Sequence, residues 1–278
     1  MKRTQPRPSV VVMIDGSTSA VQAAEWAVDE ASGRDLPLRL VYIVEPTSSD
    51  ACGDNADAEA ALRAARAAIT RTRQPVKIET EIVRGPVVEA LVAESADAEL
   101  LCVGTAGLGT PAPPGTDAAA AIAASARCPV ATIRFSNNVP PSESDDIAVI
   151  IDEQSDWGAV LEVALDEARL RNATLLILTL ITPRTDQSPA AQTDGHLADV
   201  LSQYPDVQTH ILVVPCNISS FLAQRDPPVQ LIVMGYAGGD AVAHLLYPSD
   251  TLPPRGRPVF DLTGLSMTYI DGTVCTPA

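Results

Sequence analysis

Residues 9–44 read SVVVMIDGSTSAVQAAEWAVDEASGRDLPLRLVYIV, and residues 146–181 read DIAVIIDEQSDWGAVLEVALDEARLRNATLLILTLI. Each opens on a β-branched run, Val10 to Ile14 in one and Ile147 to Ile151 in the other. Such runs are apolar on both faces, as a central parallel strand covered by helices on both sides must be. Apolar residues then recur at i, i+3, i+4 and i+7: Ala24, Ala27, Val28 and Ala31, mirrored by Leu161, Ala164, Leu165 and Ala168. That spacing gathers four side chains into one helical stripe. Strands return at Leu38 to Val44 and at Leu175 to Ile181.

The two stretches align without a gap at an offset of 137. Asp15 meets Asp152, Ala27 meets Ala164, Asp29-Glu30-Ala31 meets Asp166-Glu167-Ala168, Arg34 meets Arg171, Leu38 meets Leu175 and Pro46 meets Pro183. Further on the offset is 131, pairing Gly104 with Gly235, Gly107 with Gly238, Leu91 with Leu222 and Leu100 with Leu231. Two copies of one domain are fused. The length of 278 residues, at about 150 per domain, also predicts two. The Pro-, Ser- and acid-rich run Ser136 to Asp146 has the composition of a linker. The boundary is placed near Val139, giving domains 1–138 and 139–278.

The rest of the first copy continues the alternation. A helix is expected over about Asp57 to Arg71, a strand over Val76 to Val83, a helix over Pro86 to Ser95, a strand over Leu100 to Val103, a helix over about Ala118 to Ala126 and a last strand over Val130 to Arg134. In the second copy strands are expected near Thr209 to Val214, Leu231 to Met234 and Pro258 to Leu262. Strands alternating with helices imply right-handed βαβ units, so the fold class is α/β, two tandem doubly wound parallel sheets.

Composition narrows the function. The chain is 46% hydrophobic but 4% aromatic, so its cores are built from Ala, Val, Leu and Ile. A net charge of −16 repels phosphate backbones and anionic lipid, so neither nucleic acid nor membrane is an expected partner. The basic residues Lys2, Arg3 and Arg7 are interrupted by Pro6 and Pro8, no signal-length apolar stretch follows, and no 18-residue uncharged apolar run occurs. Cys52, Cys102, Cys128, Cys216 and Cys275 form no CxxC or metal-type pattern. A soluble protein of the reducing cytoplasm is the expectation. Cys102 falls in an expected central strand as inert core, and Cys52 and Cys275 are the exposed candidates. His196, His210 and His244 lie at no metal-ligand spacing, so no metal site is expected. Trp26 and Trp157 lie on or beside a first helix, where packing explains them. There is no Gly-x-Ser-x-Gly elbow, no P-loop Gly-Lys-Ser/Thr and no dinucleotide GxGxxG at the first turn.

In a doubly wound sheet a ligand binds beyond the carboxyl ends of the strands, where the strand order reverses. In the first copy the loops at that edge are Asp15-Gly16-Ser17 and Gly104-Thr105-Ala106-Gly107-Leu108-Gly109. A strand-end carboxylate can accept from a ribose or an adenine, and a Gly-rich turn lets backbone N–H groups approach a phosphate at a helix N-terminus. The same residues also suit a bland reading: Asp-Gly-Ser makes an N-cap turn, and Gly-x-x-Gly makes ordinary turn geometry.

Several motifs resemble those of the universal stress protein family: Val12-Met13-Ile14-Asp15-Gly16-Ser17, the helix ending Asp29-Glu30-Ala31, Leu40-Val41-Tyr42-Ile43, Val83-Arg84-Gly85-Pro86, Leu100-Leu101-Cys102-Val103-Gly104-Thr105-Ala106-Gly107 and Cys128-Pro129-Val130. The second copy resembles it through Ile151-Asp152, Glu167-Ala168-Arg169-Leu170-Arg171, Val233-Met234-Gly235-Tyr236-Ala237-Gly238 and Arg257-Pro258-Val259. The whole chain resembles the tandem, actinobacterial type. The resemblance implies five parallel strands per domain, pairing of domains through the last strands, within the chain or in a homodimer, and an unidentified regulatory protein partner. It also implies ATP, with magnesium, held by the first-strand Asp and a Gly-x-x-Gly loop followed nine residues later by Gly-Ser or Gly-Thr. Carried onto this chain, the implied nucleotide positions are Asp15, Val41, Gly104, Gly107, Gly115, Thr116, Asp152, Gly235, Gly238 and Ser249.

The chain departs from that pattern. Gly107 plus ten is Asp117, and Gly115-Thr116 stands two positions early. Pro111, Pro113 and Pro114 lack the N–H that a phosphate cradle needs, and Asp117 puts a carboxylate where phosphate would lie. No Lys or Arg lies between Gly104 and Arg127. The second copy keeps the spacing but has Pro248-Ser249 in place of Gly-Ser. Met13 and Ile150 occupy the family's glycine positions two before the Asp, and are expected to fill part of the pocket. Three readings follow: a non-catalytic, ATP-binding stress regulator; a nucleotide-free dimerising scaffold or interaction module; and a slow ATPase, ranked last for want of a general base, metal ligands or a cationic clamp. The expectation is a protein that is not an enzyme.

Overall fold

A computed structural model of the chain describes residues 8–45, 51–104, 118–134, 146–151, 157–181, 197–215, 221–222, 229–235 and 266–271. The chain forms two compact units, Met1–Phe135, joined by Gly272–Ala278, and Ser136–Asp271. The expected boundary near Val139 lies outside the described residues.

Unit 1 contains β1 (Ser9–Ile14), α1 (Thr18–Gly33), β2 (Leu38–Val44), α2 (Ala51–Thr72), β3 (Ile78–Arg84), α3 (Val87–Glu94), β4 (Ala98–Gly104), α4 (Ala118–Ser125) and β5 (Val130–Arg134). Its strands lie in the order β3-β2-β1-β4-β5, all parallel. Unit 2 contains β6 (Asp146–Ile151), α5 (Trp157–Arg171), β7 (Thr174–Ile181), β8 (Thr209–Pro215), β9 (Leu231–Gly235) and β10 (Ser266–Asp271). Its order, β8-β7-β6-β9-β10, repeats that of unit 1, again all parallel. Each unit is a doubly wound five-stranded sheet.

The sequence stripes are the buried faces. All six residues of β1 are buried, as the uninterrupted apolar run requires. Ala24, Ala27, Val28 and Ala31 of α1 are buried, and so are Leu161, Ala164, Leu165 and Ala168 of α5. A fully buried Val, Leu or Ile contributes about 1.5–3 kcal/mol of apolar transfer free energy, which is why these runs decide the fold.

The first helix of each unit also stops in the same way. Asp35 and Asn172, 137 apart, hold φ of 54° and 52°. The left-handed conformation at a helix end favours Gly or Asn, and Asp tolerates it. One residue on, Leu36 N–H donates to Ala31 O at 2.9 Å and Ala173 N–H to Ala168 O at 2.8 Å. Just before these stops a glutamate is buried in each helix. Glu30 accepts from Arg34 at 3.2 Å and Glu167 from Arg171 at 2.9 Å, with both glutamate side chains fully buried. A buried carboxylate requires such a partner.

Two expectations are corrected. The strand beside β9 is Ser266–Asp271, with Met267 opposite Leu231 and Asp271 opposite Gly235, not the run Pro258 to Leu262. That run lies outside the described residues. Its Arg-Pro-Val opening imitates Cys128-Pro129-Val130, which does lead into β5, whereas Ser-Met-Thr-Tyr-Ile-Asp carries the β-branched and aromatic residues that suit a pleated surface. Helix α2 starts at Ala51, six residues before the expected Asp57. Gly53, Asp54 and Asn55 read locally as loop, but Arg84 of β3 donates to Asn55 Oδ1 at 2.7 Å and ties this turn to the sheet.

Candidate functional site

The order β3-β2-β1-β4-β5 reverses its direction of winding between β1 and β4. The carboxyl ends of these two strands therefore define the crevice of unit 1. Asp15 follows β1 and is half-buried. Its Oδ1 accepts from Ser17 N–H at 2.8 Å, an Asx turn that fixes the carboxylate at the head of the strand. Between them Gly16 holds φ of 83°, in the region that favours glycine. Ser17 caps α1: its Oγ accepts from Ala20 N–H at 3.1 Å and lies 2.9 Å from Ser19 Oγ.

Gly104 ends β4 beside this turn. A Cβ there would sit 2.7 Å from the carbonyl carbon and oxygen of Ser19 and 2.9 Å from Ala20 N. The first turn of α1 thus packs directly on the backbone of β4, which brings the N-terminus of the helix, Asp15 and the end of β4 together at one point. The macrodipole of α1 and its early N–H groups face that point.

The other named positions distribute as follows. Val41 lies within β2, opposite Met13 on one side and Glu81 on the other. It is fully buried in the cluster that also holds Val11, Met13, Leu91, Leu101, Val103 and Ile122. Its side chain is part of the core. Met13 belongs to the same cluster, and Ile150 is likewise buried in β6. Gly235 ends β9, paired with Asp271, at the place in unit 2 that Gly104 holds in unit 1. Gly107, Gly115, Thr116, Asp152, Gly238 and Ser249, along with the departures Pro111, Pro113, Pro114, Asp117 and Pro248, lie outside the described residues.

Cys102 and Cys128 are buried, and Trp26 is buried in α1. His210 is exposed on β8. Among the described residues no three His, Cys, Asp or Glu side chains gather as a metal site, and no helix is long and apolar enough to cross a membrane. Two features escaped the sequence reading. Ser19 joins the capping hydroxyl pair behind Gly104; the serine two after Ser17 was its only signal. The buried pairs Glu30–Arg34 and Glu167–Arg171 were visible as identities of the repeat, with the i,i+4 spacing of a helical ion pair.

A doubly wound sheet with an Asx turn and a helix N-terminus at its switch point defines a large class of ligand-associated α/β folds. Comparison with known proteins gives the family. The family model described as the universal stress protein family matches residues 7–134. Universal stress protein Rv2624c of Mycobacterium tuberculosis is 39% identical over 256 residues, spanning 91% of this chain and 92% of its own length. Universal stress protein Rv3134c of the same organism is 39% identical over 242 residues, spanning 83% of this chain and 90% of its own. A solved universal stress protein from Archaeoglobus fulgidus, 14% identical, shares the fold with a TM-score of 0.71 over 95% of both chains. The chain belongs to the universal stress protein family.

Proposed function

We propose that the protein is a non-catalytic stress-response regulator that binds ATP, with magnesium, at the carboxyl edge of β1 and β4 in unit 1. The observation that carries this reading is the fixed, half-buried Asp15 carboxylate beside the N-terminus of α1 and the end of β4. Oδ1 is turned toward Ser17 N–H, which leaves Oδ2 to accept from a ligand hydroxyl or amine, while the helix N-terminus favours an anionic group. None of these groups is arranged as a nucleophile with a base, so binding rather than turnover is the function proposed.

A second reading has its own support. Asp15, Gly16, Ser17 and Gly104 each have a structural role that needs no ligand: the Asx turn, the positive φ, the cap and the helix contact. On that reading the protein is a nucleotide-free scaffold.

The deciding experiment is to purify the full chain, denature it and quantify adenine nucleotide released per chain, then titrate ATP and magnesium by calorimetry against wild type, Asp15→Asn and Asp15→Ala. A hydrogen bond to a charged group contributes about 1.5–3 kcal/mol, so Asp15→Ala is expected to weaken ATP by about tenfold or more. Asp15→Asn keeps an acceptor for Ser17 N–H and controls for loss of the turn. No nucleotide released and no heat of binding in wild type overturns the ATP reading and leaves the scaffold.

A further inference from the structure

In a chain of net charge −16, the stretch from Ala61 to Ile78 carries five of the nineteen basic residues, Arg63, Arg66, Arg71, Arg73 and Lys77, and no acid. All five are exposed. They have different neighbours. Arg71 lies 3.8 Å from Glu25 of α1, and Lys77 pairs with Glu79. Arg63 and Arg66, three apart on α2, stand next to each other on one side of the helix. Arg63 reaches Glu59 at 3.5 Å, at an exposed site where such a pair contributes little. Arg66 makes no ion pair among the described residues.

These two arginines line a groove of about 430 Å³ between α2 and β3, together with Leu62, Thr80 and Ile82. Strand β3 is the outer strand of unit 1, so the N–H and C=O groups along its free edge have no partner strand. Thr80 and Glu81, at its middle, are exposed. Glu81 borders the groove, but strand alternation puts its side chain on the face opposite Thr80 and Ile82, where it accepts from Arg39 at 2.9 Å. The α2 side of this edge therefore presents two arginines, an apolar floor and an open ladder. Strand β2 separates it from β1, so the groove is distinct from the crevice beside Asp15.

We propose that this groove docks a short acidic segment of a partner protein, laid as an added strand along the free edge of β3 with its carboxylates on Arg63 and Arg66. Residues three apart on a helix stand about 5–6 Å from each other, and alternate residues of a strand about 6.6 Å. Acids at i and i+2 of the segment thus meet both arginines and accept charge-assisted bonds from them. Ladder bonds to β3 add affinity that depends on no side chain. A nucleic acid is the poorer occupant. It cannot extend the ladder, and its phosphates run on past the two arginines into the repulsion of a chain of net charge −16. A segment with two or three acids ends where the arginines end.

The test uses the full chain, a fluorescent eight-residue peptide of alternating Glu and Thr, and its Gln-for-Glu counterpart. Anisotropy is expected to show saturable binding of the acidic peptide, with a dissociation constant about tenfold or more higher for the glutamine peptide. Arg63→Gln/Arg66→Gln, with unchanged circular dichroism, is expected to weaken the acidic peptide by a similar factor. Arg73→Gln, which removes a charge outside the groove, is expected to change it by less than about twofold. Hydrogen exchange across 78–84 is expected to slow when the acidic peptide is bound. No saturable binding overturns the proposal, as does binding that the double variant leaves intact or that Arg73→Gln weakens equally. Unchanged exchange across 78–84 overturns the added strand. An eight-nucleotide oligothymidylate that binds more tightly than the peptide overturns it as well, assigning the arginines to nucleic acid.

Discussion

Set side by side, the two units agree in one half and differ in the other. The half built from β1, α1 and β2 matches β6, α5 and β7 down to the buried glutamate, its arginine partner and the left-handed residue that ends the helix. These features act within one helix and the strand it covers, so they carry over from copy to copy without regard to the rest of the unit. The half that follows diverges. In unit 1, α2 lies over β2 and β3, and the outer strand is charged; in unit 2 the outer strand is uncharged and two of its apolar side chains are open. The segment before the outer strand differs as well. Gln74 donates to Asp29 at 2.6 Å in unit 1, whereas in unit 2 Arg169 grips Asp206 through two bonds of 2.7 Å and lies 4.5 Å from the centre of the Tyr204 ring. What the repeat preserves is the buried first half of the sheet and its helix; what it releases is surface.

The sharpest way to break this comparison is to remove the shared arginine from each unit in turn. Arg34→Ala and Arg171→Ala each withdraw the guanidinium from a buried glutamate, at an expected cost of about 3 kcal/mol. The two tryptophans allow the losses to be read separately, since Trp26 lies in α1 and Trp157 in α5. Urea unfolding of single-tryptophan variants should show each arginine change shifting its own unit; costs differing by more than about 1.5 kcal/mol would mean that the pairs are not equivalent. A smaller effect is expected from Gly104→Ala. Its Cβ meets backbone rather than a movable side chain, so α1 or β4 must shift, costing about 1–3 kcal/mol in unit 1. Unchanged unfolding by the Trp26 probe would remove the argument that this glycine serves packing.

The smallest effect concerns pH. Hydrogen bonds from Arg169 hold the Asp206 carboxyl below its ordinary value of 3.8, with its own backbone N–H adding to the shift. Because the folded value is depressed, the tie contributes above the unfolded carboxylate value and is lost as pH falls through the folded one. Unit 2 is expected to loosen slightly in acid at the turn 203–208, where unit 1 has Pro75 in place of the aspartate. A carboxyl titration followed by NMR should place the Asp206 midpoint below 3.8 in wild type and nearer to it in Arg169→Ala. Identical midpoints would dissolve this difference between the units.

Much of the fold could be read from residues alone, because its signals are local and periodic. The runs at Val10 and Ile147 and the stripes on α1 and α5 needed no tertiary information. The last strand of unit 2 was misplaced because a short motif, Arg257-Pro258-Val259, outweighed the better strand composition of Ser266–Asp271. The start of α2 was missed because a contact from β3 holds a turn that its own propensities do not favour. At the site, Asp15 was legible as a strand-end acid followed by glycine. The reason for Gly104 was not: it lies in the approach of a helix turn distant in sequence. Val41 was named from the resemblance, and its buried place in β2 follows from register, which a single strand does not display.

The buried pair has one more consequence, for how the two copies can change. Glu30 or Glu167 altered alone takes a carboxylate from a mostly buried arginine, and Arg34 or Arg171 altered alone takes a guanidinium from a carboxylate that has no access to water. Either single step passes through a destabilised protein, although a double replacement by well-packed apolar residues can be neutral. The pair is therefore a lineage trap: once duplicated, each copy holds its two charges because the path away from them begins downhill in stability.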